Sequence, residues 1–197
     1  DLSRITHDRI VLQRKPVDLV EVVAEAVEAT RPALEQRRHR FSLRLPEQPV
    51  PVEGDATRLQ QIVANLLTNA VKYTPPAGEV ELCLKRQGDL AVLRLRDSGI
   101  GIAPQMLSHV FEPFVQVEDS LAHSQGGLGI GLTLVRKLVE LHDGSVAAAS
   151  DGAGRGCVFT VHLPLCRHAL AQIADSVPEE TGNPLRILLV EDNRSIA

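Results

Sequence analysis

Apolar positions along the chain fall into a few clear periods, and the strongest runs from Asp55 to Tyr73. Leu59, Ile62, Val63, Leu66, Leu67, Ala70 and Val71 recur there at helical spacing, which predicts a helix that buries one broad stripe. Pro75, Pro76 and Gly78 stop it. A helix is also expected from Asp18, its cap, to about Arg38, on the spacing of Leu19, Val22, Val23, Ala26 and Thr30. Leu2, Ile5 and Ile10 make residues 2–13 read as the end of a longer helix, terminated by Pro16. A fourth helix is expected from about Gly129 to His142, closed by Asp143-Gly144.

Alternation marks the strands. Phe41, Leu43 and Leu45 form one, followed by a turn rich in proline at Pro46, Pro49 and Pro51. Val80, Leu82 and Leu84, then Ala91, Leu93 and Leu95, form two more, and Gln87-Gly88-Asp89 joins them as an antiparallel hairpin. Residues 145–149 and 156–163 flank a turn at Gly152, Gly154 and Gly156, while 115–128 is polar, aperiodic and expected to be a mobile loop. Strands and helices mix without regular βαβ alternation. The fold class expected is therefore α/β: a two-layer α/β sandwich, with a mixed, mostly antiparallel sheet and helices on one face.

Composition narrows the function classes. Of 197 residues, 44% are hydrophobic and 23% charged, which fits a globular core. The net charge of −4, with no basic stripe, argues against a nucleic-acid partner. Cys83, Cys157 and Cys166 show neither CxxC nor paired His spacing, so neither a disulfide scaffold nor a structural zinc is expected. No apolar run reaches the length of a membrane span and no signal peptide opens the chain. The chain starts at Asp1 rather than Met and ends at Ala197 just after a new apolar run, Leu185 to Val190, so a piece of a longer protein is expected.

Three groups of residues carry candidate chemistry. On a helical wheel Arg58, Asn69 and Lys72 fall within about 40° of Asn65, and the apolar stripe centres about 140° away. Carboxamide oxygens suit Mg²⁺ and a neighbouring lysine suits phosphate, although a solvated polar face would look the same. Asp97 shares strand parity with Leu93 and Leu95, so its carboxylate points inward and needs a donor. Gly99-Ile100-Gly101 follows and permits close backbone approach, which suits an exocyclic amino group such as that of adenine; a strand-end Asp closing a turn is the alternative. Gly126 to Gly131 runs into a helix, where backbone amides suit phosphate. This run matches neither the Walker A pattern nor a dinucleotide-binding fingerprint.

In this order the pieces resemble sensor histidine kinases. Asn65-x3-Asn69-Ala70-x-Lys72-Tyr73-Thr74 is similar to their N box, and Asp97-x-Gly99-x-Gly101 to the first glycine box. Phe111-x-x-Phe114 is similar to the phenylalanine box, and Gly127-x-Gly129-x-Gly131 to the second glycine box. The resemblance covers roughly residues 1–165 and implies the Bergerat (GHKL) ATP-binding fold shared with type II topoisomerases, Hsp90 and MutL. It implies ATP and Mg²⁺ as cofactors. Asn69 would ligate Mg²⁺ with Asn65 assisting, Lys72 would contact phosphate, Tyr73 would pack by the adenine, and Asp97 would accept from its amino group. Gly99, Gly101, Ile102, Phe114, Leu128, Ile130 and Leu132 would complete the ATP pocket. Residues 115–128 would form an ATP lid, with Gly127, Gly129 and Gly131 at the phosphates.

The resemblance divides the chain into the end of a dimerisation and phosphotransfer helix (1–14), the ATP-binding catalytic domain (15–165), a linker (166–184) and the start of a receiver domain (185–197). Glu191 and Asp192 resemble a receiver's acidic pair. The implied enzyme is a protein histidine kinase, cytoplasmic in this domain, with a membrane anchor elsewhere left open. Its partners would be the helical hairpin of the same protein and a receiver domain or response regulator, in a full-length homodimer. Three positions depart from the family: His123 stands where an arginine is common, Leu128 where Thr or Ser is, and His7 lacks the acidic residue and proline of a phosphoacceptor motif. This piece should therefore not phosphorylate itself. A GHKL-type ATPase and a degenerate nucleotide-binding module are the alternatives. Against the ATPase, Gln61 and Asn65 stand one turn before Asn65 and Asn69, where a carboxylate would be needed to activate water.

Overall fold

A computed structural model describes residues 10–115 and 129–166. The chain enters through a short strand, β1 (Lys15–Asp18), and turns into helix α1 (Leu19–Gln36). Asp18 caps that helix as its position predicts: Oδ1 accepts from the backbone N–H of Val20 at 3.0 Å and of Val50 at 2.9 Å. Strand β2 (Arg40–Arg44), strand β3 (Pro51–Gly54) and helix α2 (Ala56–Tyr73) follow. The hairpin is β4 (Glu79–Gln87) and β5 (Leu90–Asp97). Helix α3 (Gly131–Leu141) and strands β6 (Ser145–Ala149) and β7 (Cys157–Pro164) complete the order.

Five strands form the main sheet in the order β2-β4-β5-β7-β6. Only β2 and β4 pair in parallel; the other pairings are antiparallel. The three helices cover one face. Leu59, Ile62, Leu66 and Leu67 of α2 join Val23 and Val27 of α1, Val135 and Leu138 of α3, and Leu82 and Leu95 of the sheet in one core, none more than 2% exposed. The expected two-layer sandwich is thus present.

Two expectations need correction. The proline-rich stretch is not all turn: Pro51 opens β3, which pairs antiparallel with β1 in a separate two-stranded sheet. Pro51 is tolerated as the first residue of β3, where its carbonyl still accepts from the Cys166 N–H at 2.8 Å, and Pro16 lies in the edge strand of this small sheet. The helix expected over 2–13 does not extend through residues 10–13, which are irregular and lead directly into β1, while residues 1–9 lie outside the described residues. Most of the loop expected at 115–128, the linker after Cys166 and the run at 185–197 also lie outside them. Helix α3 begins at Gly131 rather than Gly129, because Gly129 adopts φ +68°. Among the described residues no helix is long and apolar enough to cross a membrane.

Candidate functional site

Helix α2 buries its apolar stripe and turns Asn65 and Asn69 toward the first turn of α3. A Cβ at Gly131 would stand 3.9 Å from both Asn65 Oδ1 and Asn69 Nδ2. Among the described residues no side chain caps the start of α3, whose leading amides have no partner within the helix. Asn65 Nδ2 is itself buried without a hydrogen-bond partner, as is Thr133 Oγ1 in the first turn of α3. Orphaned buried donors beside a bare helix N-terminus suit an anion, and a carboxamide can turn its oxygen to a metal ion instead.

Asp97 ends β5 and is only 6% exposed. Its Oδ1 accepts from the Gly99 N–H at 2.8 Å. Burial pushes its carboxyl above the usual range, opposed by the backbone N–H groups of Gly99 and Cys157. Gly99 cannot be another residue, since a Cβ would lie 2.6 Å from the Tyr73 carbonyl oxygen. Gly101 (φ +71°) approaches the glycine turn after β6 just as closely, its Cβ position 2.0 Å from the Gly152 carbonyl oxygen. The two loops are bonded together: Gly154 N–H donates to Ile100 C=O at 2.7 Å, and Ile102 N–H to Ser150 Oγ at 3.0 Å.

Between these loops and α2 lies an open cavity of about 580 Å³, counting its mouth. Asn69, Tyr73, Asp97, Gly101, Ile102 and Leu132, all expected from the sequence, line it. Ile100, Val110, Val115, Cys157 and Phe159 line it too and were not anticipated. The alternation of Cys157, Phe159 and Val161 marks them as inward-facing, but only the pairing of Asp97 with Cys157 brings that strand beneath the cavity. Burial, with the Asp97 charge adding, pushes the Cys157 thiol up to about 12, so it remains protonated and serves as an apolar floor. Phe159 is braced edge-on by Phe111, with ring centroids 6.4 Å apart.

Other expected residues stand around this cavity rather than in it. Asn65, Gly99 and Gly131 are not among the residues that line it. Lys72 places Nζ 4.8 Å from the Tyr73 ring centroid, a cation–π contact. Arg58 donates to Gln61 Oε1 at 2.9 Å and does not line the cavity. Phe114 is 65% exposed with φ +63° and is not a lining residue. Its N–H donates to the Gly129 carbonyl at 3.2 Å, so it joins the two ends of the intervening segment. Ile130 follows as the residue before α3. His123, Gly127 and Leu128 lie outside the described residues.

The chain belongs to the histidine kinase-, DNA gyrase B- and HSP90-like ATPase family, which matches residues 54–167. It is accordingly an ATP-binding domain, and the relatives it resembles within that family are sensor histidine kinases. The circadian input-output histidine kinase CikA of Synechococcus elongatus is 34% identical over 200 residues, covering all of this chain and 26% of that protein. The mycobacterial sensor histidine kinase MprB superposes with a TM-score of 0.67 at 31% identity, covering 77% of this chain and 97% of that one. Full-length ShkA, solved in complex with AMPPNP, gives a TM-score of 0.71 at 27% identity over 83% of this chain and 34% of that one. The chain spans about a quarter of the length of the curated relatives it matches.

Proposed function

We propose that residues 15–165 form the catalytic ATP-binding domain of a sensor histidine kinase, which passes the γ-phosphoryl group of ATP to a histidine on a helical hairpin. The observation that carries this reading is the buried Asp97 carboxylate in an apolar cavity that ends at an uncapped helix N-terminus. Asp97 accepts from the adenine amino group while Ile102, Tyr73 and Leu132 flank the base. Gly99 and Gly101 keep the backbone close. Beyond the base, the amides of Gly129, Ile130 and Gly131 receive phosphate oxygens, and Lys72 leaves the Tyr73 ring to join them. Gly127 and Leu128 extend the same glycine run, and Phe114 holds its far end.

Among the described residues no group of three His, Cys, Asp or Glu side chains is placed to hold a metal ion. Mg²⁺ would therefore take the carboxamide oxygen of Asn69, assisted by Asn65, together with phosphate oxygens. When bound it supplies charge neutralisation. The residues of this chain then contribute positioning, holding the phosphate chain in line for attack by the acceptor nitrogen.

In this reading residues 1–14 continue the hairpin helix, 166–184 are a linker, and 185–197 begin a receiver domain with Glu191 and Asp192 as its acidic pair. The domain works in the cytoplasm, where ATP is supplied, within a homodimer that answers to a receiver or response regulator. Incubation with γ-labelled ATP and Mg²⁺, with and without the separately produced hairpin, tests it. Label should appear on a hairpin histidine and none on this chain alone. Free phosphate without protein label would instead indicate an ATPase, and neither product a binding module.

A further inference from the structure

The far ends of α2 and α3 are fastened by a cluster that the nucleotide reading leaves unused. His142 closes α3 and is 3% exposed. Its Nε2 accepts from the backbone N–H of Asp55 at 3.0 Å, which fixes the proton on Nδ1, and Nδ1–H donates to the Leu138 carbonyl at 2.7 Å. Asp55 is in turn the cap of α2: its carboxylate accepts from the N–H of Arg58 at 3.2 Å and of Gln13 at 3.1 Å. The next residue of the entering chain, Arg14, bonds the Asp143 carboxylate at 2.6 Å and the Leu141 carbonyl. Gly54 leaves room for the imidazole, since a Cβ there would lie 2.7 Å from His142 Cδ2.

The two helices run antiparallel, with this cluster at one end and the Asn65, Asn69 and Gly131 contact at the other. At 1.5 Å per residue the two ends are about 15 Å apart. Helices are stiff over that length, so a shift at the clasp moves the carboxamides relative to the start of α3. We infer that His142, Asp55 and Arg14 are positioning residues: they set α2 against α3, and the chain entering upstream of β1 thereby sets nucleotide affinity. This rests on the nucleotide reading above.

Charged groups facing His142 are Arg14, Asp55 and Asp143. Burial is the largest influence and lowers its basicity; the Leu138 carbonyl opposes it most, Arg14 acts with burial, and the two carboxylates act against it. Protonation would set an N–H on Nε2 against the N–H of Asp55, two donors face to face. Acid should therefore loosen the clasp.

The 197-residue chain is titrated with ADP in excess Mg²⁺ at pH 7.5 and pH 5.5, with thermal unfolding recorded for each variant. Arg14→Ala and Asp143→Asn, both at the surface, should weaken ADP at least ~3-fold while the chain stays folded. Arg14→Asp combined with Asp143→Arg should recover part of that loss, since the swap restores the ion pair but not the bond to the Leu141 carbonyl. His142→Gln offers Oε1 as an acceptor that does not titrate in this range. It should hold ADP near the wild-type level at pH 7.5 and lose less affinity than wild type at pH 5.5. Asp97 and the ADP phosphate titrate in both proteins, so the comparison isolates His142. Unchanged affinity in both surface variants, or equal acid sensitivity in the glutamine variant, overturns the inference. A wild-type chain that does not bind ADP overturns the nucleotide reading and this inference with it.

Discussion

Asp97 is asked to do two things that oppose each other. A carboxylate held this far from water costs stability, and its carboxyl is pushed up chiefly by that burial. Between the ordinary carboxylate range and its raised native value, the folded state holds more protons than the unfolded one, so stability falls as pH rises through that window. Above the raised value the full cost remains. Asp97→Asn keeps an oxygen for the Gly99 N–H and carries no charge, so its thermal midpoint at pH 7 should exceed that of wild type. The gain should vanish below the ordinary carboxylate range; a lower midpoint at pH 7 would contradict this account. The same variant should lose nucleotide discrimination. Wild type should prefer ATP over GTP by at least ~10-fold, about 1.4 kcal/mol, because guanine presents a carbonyl where adenine presents an amino group. Equal affinities in competition binding would make Asp97 a turn residue only. The inward direction of Asp97 was legible from its parity with Leu93 and Leu95. Its neighbour Cys157 was not, because sixty residues separate them and only strand register brings them together.

Among the elements, α2 was the easiest to foresee because its buried stripe repeats without interruption and Asp55 and Thr74 bound it closely. Strands β1 and β3 were hidden. Each has four residues, each contains a proline, and their pairing joins segments more than thirty residues apart. Of the helix expected over 2–13 only residues 10–13 are described, and Ile10 alone of its apolar positions falls there, too little to outweigh the extended path that Gln13 and Arg14 take to reach Asp55 and Asp143. On the polar face of α2, Asn65 and Asn69 stand beside the first turn of α3, while Arg58 bonds Gln61 of its own helix. At the loop pair, Gly101→Ala should push the Gly152 carbonyl away and force a side chain into left-handed backbone. The expected result is loss of ADP binding by more than ~10-fold with the helical circular dichroism retained. Binding close to wild type would show that the two loops need not touch.

For the whole molecule, a ligand that binds only the folded state adds stability by mass action, about 2.7 kcal/mol at one hundred times its dissociation constant. Mg-ADP should accordingly raise the unfolding temperature of this chain, and GDP should do so far less at equal concentration. Asn69→Ala should lose most of the extra shift that Mg²⁺ confers while keeping the smaller shift from ADP alone. An equal loss in both conditions would assign Asn69 to packing instead of the metal.

The bond from the Phe114 N–H to the Gly129 carbonyl has a further consequence. It ties the described stretches on either side of residues 116–128 to each other, next to Val115 and Leu132 of the pocket wall. Chain entropy charges little for extra length in such a closed loop: doubling it costs only about 0.6 kcal/mol. Positions 116–126, which leave out the proposed nucleotide residues Gly127 and Leu128, can therefore be lengthened or rewritten at little entropic cost to this closure.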